Sequence, residues 1–121
     1  WAAPLLDQGS VLIAASAEPA AVKAAQDQIG RARAGELIET CMARVAEGLV
    51  ANGVRRLVVA GGETSGAVVA ALGVSGLHIG GQIAAGVPAT VTIGDRPLAL
   101  ALKSGNFGGP DFFVEALAAM P

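Results

Sequence analysis

Two short apolar runs, each closed by glycines, set the tightest limit on what this chain can fold into. RLVVAGG (56–62) is followed by ETSG, and LALAL (98–102) by KSGNFGG (103–109). A strand covered on both faces reads as a continuous apolar run rather than as an alternating one. Helical patterns lie between and after the two runs. Strands alternating with helices predict a layered α/β domain with a mostly parallel sheet. In such sheets ligands bind outside the carboxyl ends of the strands. Both glycine loops then fall on the C-terminal strand edge.

The rest of the chain fits that frame. SVLIAAS (10–16) reads as a further buried strand. Glu18 to Ile29 is alanine-rich and helical, with Pro19 in the first turn, where proline is tolerated. Gly30 to Gly35 reads as a break. Glu36 to Ala51 places Ile38, Cys41, Val45 and Leu49 on one helical face, with Leu37, Met42 and Ala46 beside them. Asn52-Gly53 stops that helix. Thr64 caps a helix over Ser65 to Leu72, and Gly73 ends it. Residues 76–94 are glycine-rich, with two β-prone pieces, LHIGGQI and ATVTI, and a turn at Asp95-Arg96. Pro110 opens a last helix, in which Phe112 and Phe113 are core positions. No repeat or low-complexity linker interrupts the chain, so residues 1–121 form a single domain.

Composition removes several classes of function. Hydrophobic residues make up 53% and charged residues 15%, the opposite of a disordered chain. A net charge of -2 gives no electrostatic footprint for nucleic acid or an anionic membrane. With three Phe, one Trp and no Tyr, there is no platform for stacking bases. No apolar run approaches the roughly 18 residues of a membrane span. The single cysteine, Cys41, has no internal partner and fits a reducing compartment. WAAPLLDQGS lacks the basic start and apolar core of a signal peptide. A cytoplasmic globular domain is expected. The chain starts at Trp1 rather than Met, as part of a longer protein would.

Each glycine loop feeds a helix start, where free N–H groups and the positive end of the dipole favour an anion. Gly61-Gly62 lets a phosphate approach the backbone closely, because no Cβ intervenes. Thr64 and Ser65 add hydroxyl donors. Gly105 to Gly109 can form a concave array of N–H groups. Lys103 adds a positive charge, and Ser104 and Asn106 are further candidate phosphate contacts. Together these parts suit the phosphates of a nucleotide. The plainer reading of each part stays beside it: a tight turn, and a solvated lysine that braces its loop. Neither loop matches GxxxxGK[ST] or GxGxxG. Glu63 can hold a magnesium-bound water or a ribose hydroxyl, or be a carboxylate placed at a helix start for its charge. His78, the only histidine, has no Cys or Asp cluster around it, so no metal site is expected. Cys41 is expected in the core. Phe107 is read as packing against the sheet in preference to stacking on an adenine.

VRRLVVAGGETSGAVVAALGV (54–74), IGGQIAAGVPA (79–89) and LALKSGNFGGPDFFVEAL (100–117) resemble the C-terminal nucleotide-binding domain of the four-carbon acid sugar kinase family. The resemblance covers about residues 35 to 118. It implies a two-domain enzyme that phosphorylates 3-oxo-tetronate, threonate or erythronate-type acids with ATP and Mg2+. The sugar acid and an Asp-Asp motif that supplies the base belong to an N-terminal domain, and ATP belongs to the C-terminal one. Carried over, Gly61, Gly62, Glu63 and Thr64 look like the nucleotide loop and Gly105 like a second contact. The family's first contact is a serine after an early strand; in IAASAEP (13–19) it matches Ser16. Departures are Gln82 for a glutamate, Ala85 for a proline, Ala89 for a tryptophan, and a shorter stretch between Ser16 and Ala34. The Asp-Asp motif is absent, so no catalytic residue is expected in this chain, and alone it is expected to be inactive. The implied partners are a nucleotide and, through the other domain, a sugar acid. A homo-oligomer is left open. The competing expectation is a stand-alone nucleotide-binding sensor or interaction module without catalysis.

Overall fold

The computed structural model describes all 121 residues. After a single 3-10 turn at Ala3–Leu5, the elements run α1 (Pro19–Ile29), α2 (Arg31–Ala51), β1 (Arg56–Ala60), α3 (Gly62–Ala71), β2 (Leu77–Ala84), β3 (Val87–Thr92), β4 (Ala99–Lys103) and α4 (Phe112–Ala119). The two apolar runs become neighbours. β1 and β4 pair in parallel, with Leu57 opposite Leu100 and Ala60 opposite Lys103. Alternation along these strands feeds two cores. Leu57, Val59 and Leu102 pack with Ala46 of α2 and with Val68 and Leu72 at α3. Val58, Ala99 and Ala101 pack on the opposite face with Phe112, Ala116 and Met120 at α4. Because helices cover both faces, the inner positions of these strands are apolar, and their charged residues, Arg56 and Lys103, stand at the strand ends. Arg56 extends the second contact by donating from Nη1 to Leu117 O at 3.0 Å, satisfying a carbonyl at the end of α4.

The sheet corrects the expectation of mostly parallel strands. Its order is β1-β4-β3-β2, and β1–β4 is its one parallel pair. β2–β3 and β3–β4 are antiparallel. The cause is connection length. Ala85-Gly86 alone joins β2 to β3, and a two-residue link can only reverse direction, whereas a parallel pair needs a long crossover. That crossover exists once, between β1 and β4. Buried Thr90 of β3 ties the antiparallel half to β4, its Oγ1 donating to Leu100 O at 2.8 Å.

Other boundaries also move. SVLIAAS is not a strand. Gly9 to Ala17 makes no backbone hydrogen bond, and Leu12 is 67% exposed. Apolar content alone does not make a strand; a neighbouring backbone is required, and β1 has a partner only on its β4 side. The break at 30–35 shrinks to Gly30, which at φ +84 turns the chain within one residue into α2. On α2 the buried residues are Ala43 and Ala46, while Cys41, Leu37 and Ile38 are exposed. Close packing against α3 selects small side chains over large ones, which rotates the buried stripe away from the most hydrophobic face. Phe112 is fully buried as expected, but Phe113 stays 38% exposed. α4 starts at Phe112, two residues after Pro110. No helix is long and apolar enough to cross a membrane.

Candidate functional site

The two glycine loops meet where β1 and β4 end. Gly61 N–H donates to Lys103 O at 2.7 Å, one step beyond the last register pair. A Cβ placed on Gly62 would lie 3.7 Å from Ser104 Cβ, so the loops are in van der Waals reach of each other. Parallel pairing of β1 and β4 brings them together, and this part of the expected edge geometry holds.

The first loop is already a helix. α3 begins at Gly62 rather than Ser65, Gly61 at φ +115 occupies the cap position, and no side chain caps it. Thr64 therefore lies in the first turn and is not the cap. The first backbone bond is Ser65 N–H to Gly61 O at 2.8 Å. The amides of Gly62, Glu63 and Thr64 have no backbone acceptor. The early helix start converts a glycine turn into three unpartnered donors at the positive end of a dipole. Ser65 Oγ is buried beside them without a hydrogen-bond partner.

The second loop is braced from inside. Lys103 Nζ donates to Gly105 O at 2.7 Å and lies 5.8 Å from the centre of the Phe112 ring. Its charge thus holds the loop it opens. Gly105 has φ +57, and a Cβ there would meet nothing within 4 Å. Ser104 and Asn106 beside it are exposed. Gly108 is the opposite case, because a Cβ there would overlap the buried Phe112 ring. Phe107 lies against the hairpin turn, with its ring 3.7 Å from where a Gly86 Cβ would be, yet it is 48% exposed.

Glu63 helps line a cleft of about 670 Å³ together with residues of α1 and α2 and with Ala15 and Ala17. Ser16 lies between those two alanines, so the chain brings that segment to the Glu63 side of the site, and the Ser16 side chain makes no hydrogen bond. His78 is exposed on β2 opposite Val91, far from any cluster: no group of three or more His, Cys, Asp or Glu gathers in the chain. Reading the sequence missed the packing demand at Gly108 and the orphaned Ser65 hydroxyl. Neither leaves a signal in one dimension, since both depend on what α3 and α4 press against.

Comparison with known proteins gives the chain a family. A family model described as a nucleotide-binding C-terminal domain matches residues 1–113. The 3-oxo-tetronate kinase of Cupriavidus necator is 69% identical over 107 residues, which are 88% of this chain and 25% of that enzyme. The 3-oxo-tetronate kinase of Pseudomonas fluorescens is 62% identical over 113 residues, 93% of this chain and 26% of the enzyme. A crystal structure of a Haemophilus influenzae protein superposes with a TM-score of 0.77 at 46% identity, over 88% of this chain and 26% of that one. A Salmonella typhimurium protein named as a tRNA synthase superposes with a TM-score of 0.83 at 42% identity, over 97% of this chain and 29% of that one. The chain spans about a quarter of the length of the curated relatives it matches. It belongs to the family of nucleotide-binding C-terminal domains.

Proposed function

We propose that this chain is the ATP-binding domain of a kinase that phosphorylates a four-carbon sugar acid of the 3-oxo-tetronate type. The observation that carries the reading is the meeting of three unpartnered amides, Gly62 to Thr64, with an open Gly105 loop. Such donors fit phosphate oxygens. Hydrogen bonds to charged groups contribute about 1.5–3 kcal/mol each, against roughly 0.3–1 kcal/mol for a helix dipole. Amide geometry, more than the dipole, would carry the affinity.

When bound, ATP supplies the transferable phosphoryl group and Mg2+ offsets the charge on its oxygens. Within this chain, Gly62, Glu63 and Thr64 orient phosphate through their backbone. Gly105, Ser104 and Asn106 close the opposite side, and Lys103 holds that side in shape. No group of three or more His, Cys, Asp or Glu gathers in this chain; Mg2+ would arrive with the nucleotide, held by phosphate oxygens and water. The sugar acid and the base that accepts its hydroxyl proton belong to a partner domain. A net charge of -2 supports a nucleotide in preference to a tRNA ligand. The exposed, unpaired Cys41 suits a reducing, cytoplasmic setting.

Calorimetric titration with ADP and Mg2+ tests the reading, using Gly105→Val and Gly105→Asn. Asparagine tolerates positive φ, so it separates occlusion from backbone strain. Loss of ADP binding in both folded variants is expected. Unchanged ADP affinity in folded Gly105→Asn would sink the placement of Gly105 at the nucleotide. In the longer enzyme, phosphorylation of 3-oxo-tetronate tests the activity, and nucleotide binding without turnover would favour a non-catalytic module.

A further inference from the structure

We propose that Val11 to Ala15 add to the free edge of β1 as a parallel fifth strand, a strap that stands open in the present conformation. Each side has what the other lacks. β1 is the outermost strand on its side of the sheet. Arg55 O accepts from Ala99 N–H at 2.9 Å, and Gly61 N–H donates to Lys103 O at 2.7 Å. Bonds to one neighbour recur at every second residue of a strand, so Leu57 and Val59 also face β4. Val58 and Ala60 therefore turn their N–H and C=O groups outward, with no strand beside them. An open edge of that kind is a template for a further strand. Val11 to Ala15 matches β1 in length, five residues, and has no backbone hydrogen bond. Val11 and Ile13 are half-buried while Leu12 and Ala14 are exposed, the two-residue alternation of a strand lying on a surface.

Topology fixes the side and the direction. α2 and α3 pack on the same face of β1, through Ala46 and Val68. Crossovers between parallel strands are right-handed. A crossover from the strap through α1 and α2 to β1 then runs across the sheet in the same direction as the one from β1 through α3 to β4. That puts the strap beside β1, on the side away from β4. Ala15 and Ala17 line the same cleft as Glu63, which follows the end of β1. The carboxyl ends of strap and strand thus lie together, as parallel pairing requires. Ser16 to Glu18 joins the strap to α1, within the roughly two to six residues typical of such links. The other open edge, β2, is interrupted by register shifts between Ile79 and Ala84, and such irregularity blunts an edge. The strap ends at Ser16, on the edge where both glycine loops lie. Its closure narrows the candidate site from the β1 side, whatever ligand the loops take.

Amide hydrogen exchange, read residue by residue by nuclear magnetic resonance, tests this on the parent chain, on Val11→Asp/Ile13→Asp and on a chain lacking residues 1–16. The deletion spares α1, which starts at Pro19. The reading is the exchange of Val58 and Ala60 relative to Leu57 and Val59, whose amides face β4 and report an intact sheet. Val58 and Ala60 are expected to exchange at least about tenfold more slowly in the parent than in either altered chain, with Leu57 and Val59 alike in all three. Nuclear Overhauser contacts between the backbones of Ile13 and β1 are expected in the parent. Relative exchange that is the same in all three chains overturns the proposal. So does protection of Val58 and Ala60 that rises with protein concentration, which would make a second copy the occupant of the edge.

Discussion

The two glycine loops look alike in sequence but use glycine for different reasons. At Gly108 packing demands it, because any side chain would enter the space of the buried Phe112 ring. At Gly105 the backbone demands it, at φ +57, although the space around is open. At Gly62 neither applies. Its φ is not in the positive range, and a Cβ there would make only ordinary contact with Ser104, at 3.7 Å. The fold does not require Gly62 to lack a side chain. On the proposed reading, the need comes from a ligand that approaches the backbone closely. The comparison separates glycines that build the loops from one that leaves room above them.

That separation can be broken from the structural end first. Gly108→Ala combines overpacking with a side chain at positive φ and is expected to cost about 3 kcal/mol, read as a lowered urea midpoint. A parent-like midpoint would show that the Phe112 contact is soft. Gly105→Val is next: about 1–2 kcal/mol of stability from backbone strain, together with loss of ADP binding in calorimetry. If stability falls while ADP affinity does not, Gly105 serves the fold alone. Gly62→Ala falls at the other end of the stability scale. In a first helical turn alanine is expected to leave stability equal or raise it by roughly 0.5 kcal/mol, while ADP affinity falls about tenfold. Lys103→Met gives the smallest effect. Losing the Gly105 carbonyl contact and the Phe112 ring contact is expected to cost about 0.5–1 kcal/mol, with ADP affinity reduced only a few-fold. A loss larger than that of Gly62→Ala would make Lys103 a direct phosphate ligand rather than a brace.

The strands that sequence reading placed best are those whose environment is symmetrical. LVVA (57–60) and LALAL (98–102) are apolar at every position because both faces are covered, and pattern alone locates them. The same rule misplaced SVLIAAS, because a strand needs a hydrogen-bonded neighbour and Gly9 to Ala17 has no backbone partner. Strand direction was illegible for a different reason. It was set by the two residues Ala85-Gly86, and a glycine-rich stretch hides such a link. On α2, hydrophobicity pointed to Ile38 and Cys41, while close helix packing chose Ala43 and Ala46. At the site, the sequence located both loops and their shared edge. It misjudged where α3 begins by three residues, and that shift is what frees the amides of Gly62 to Thr64.

The measurement that bears most directly on the phosphate cradle is Mg-ADP calorimetry on the parent chain and Gly62→Ala, with thermal unfolding of both. The account predicts binding by the parent, about tenfold weaker binding by the variant, and an unfolding temperature that is unchanged or slightly higher. Equal affinity in the two, or no binding by a folded parent chain, would contradict it.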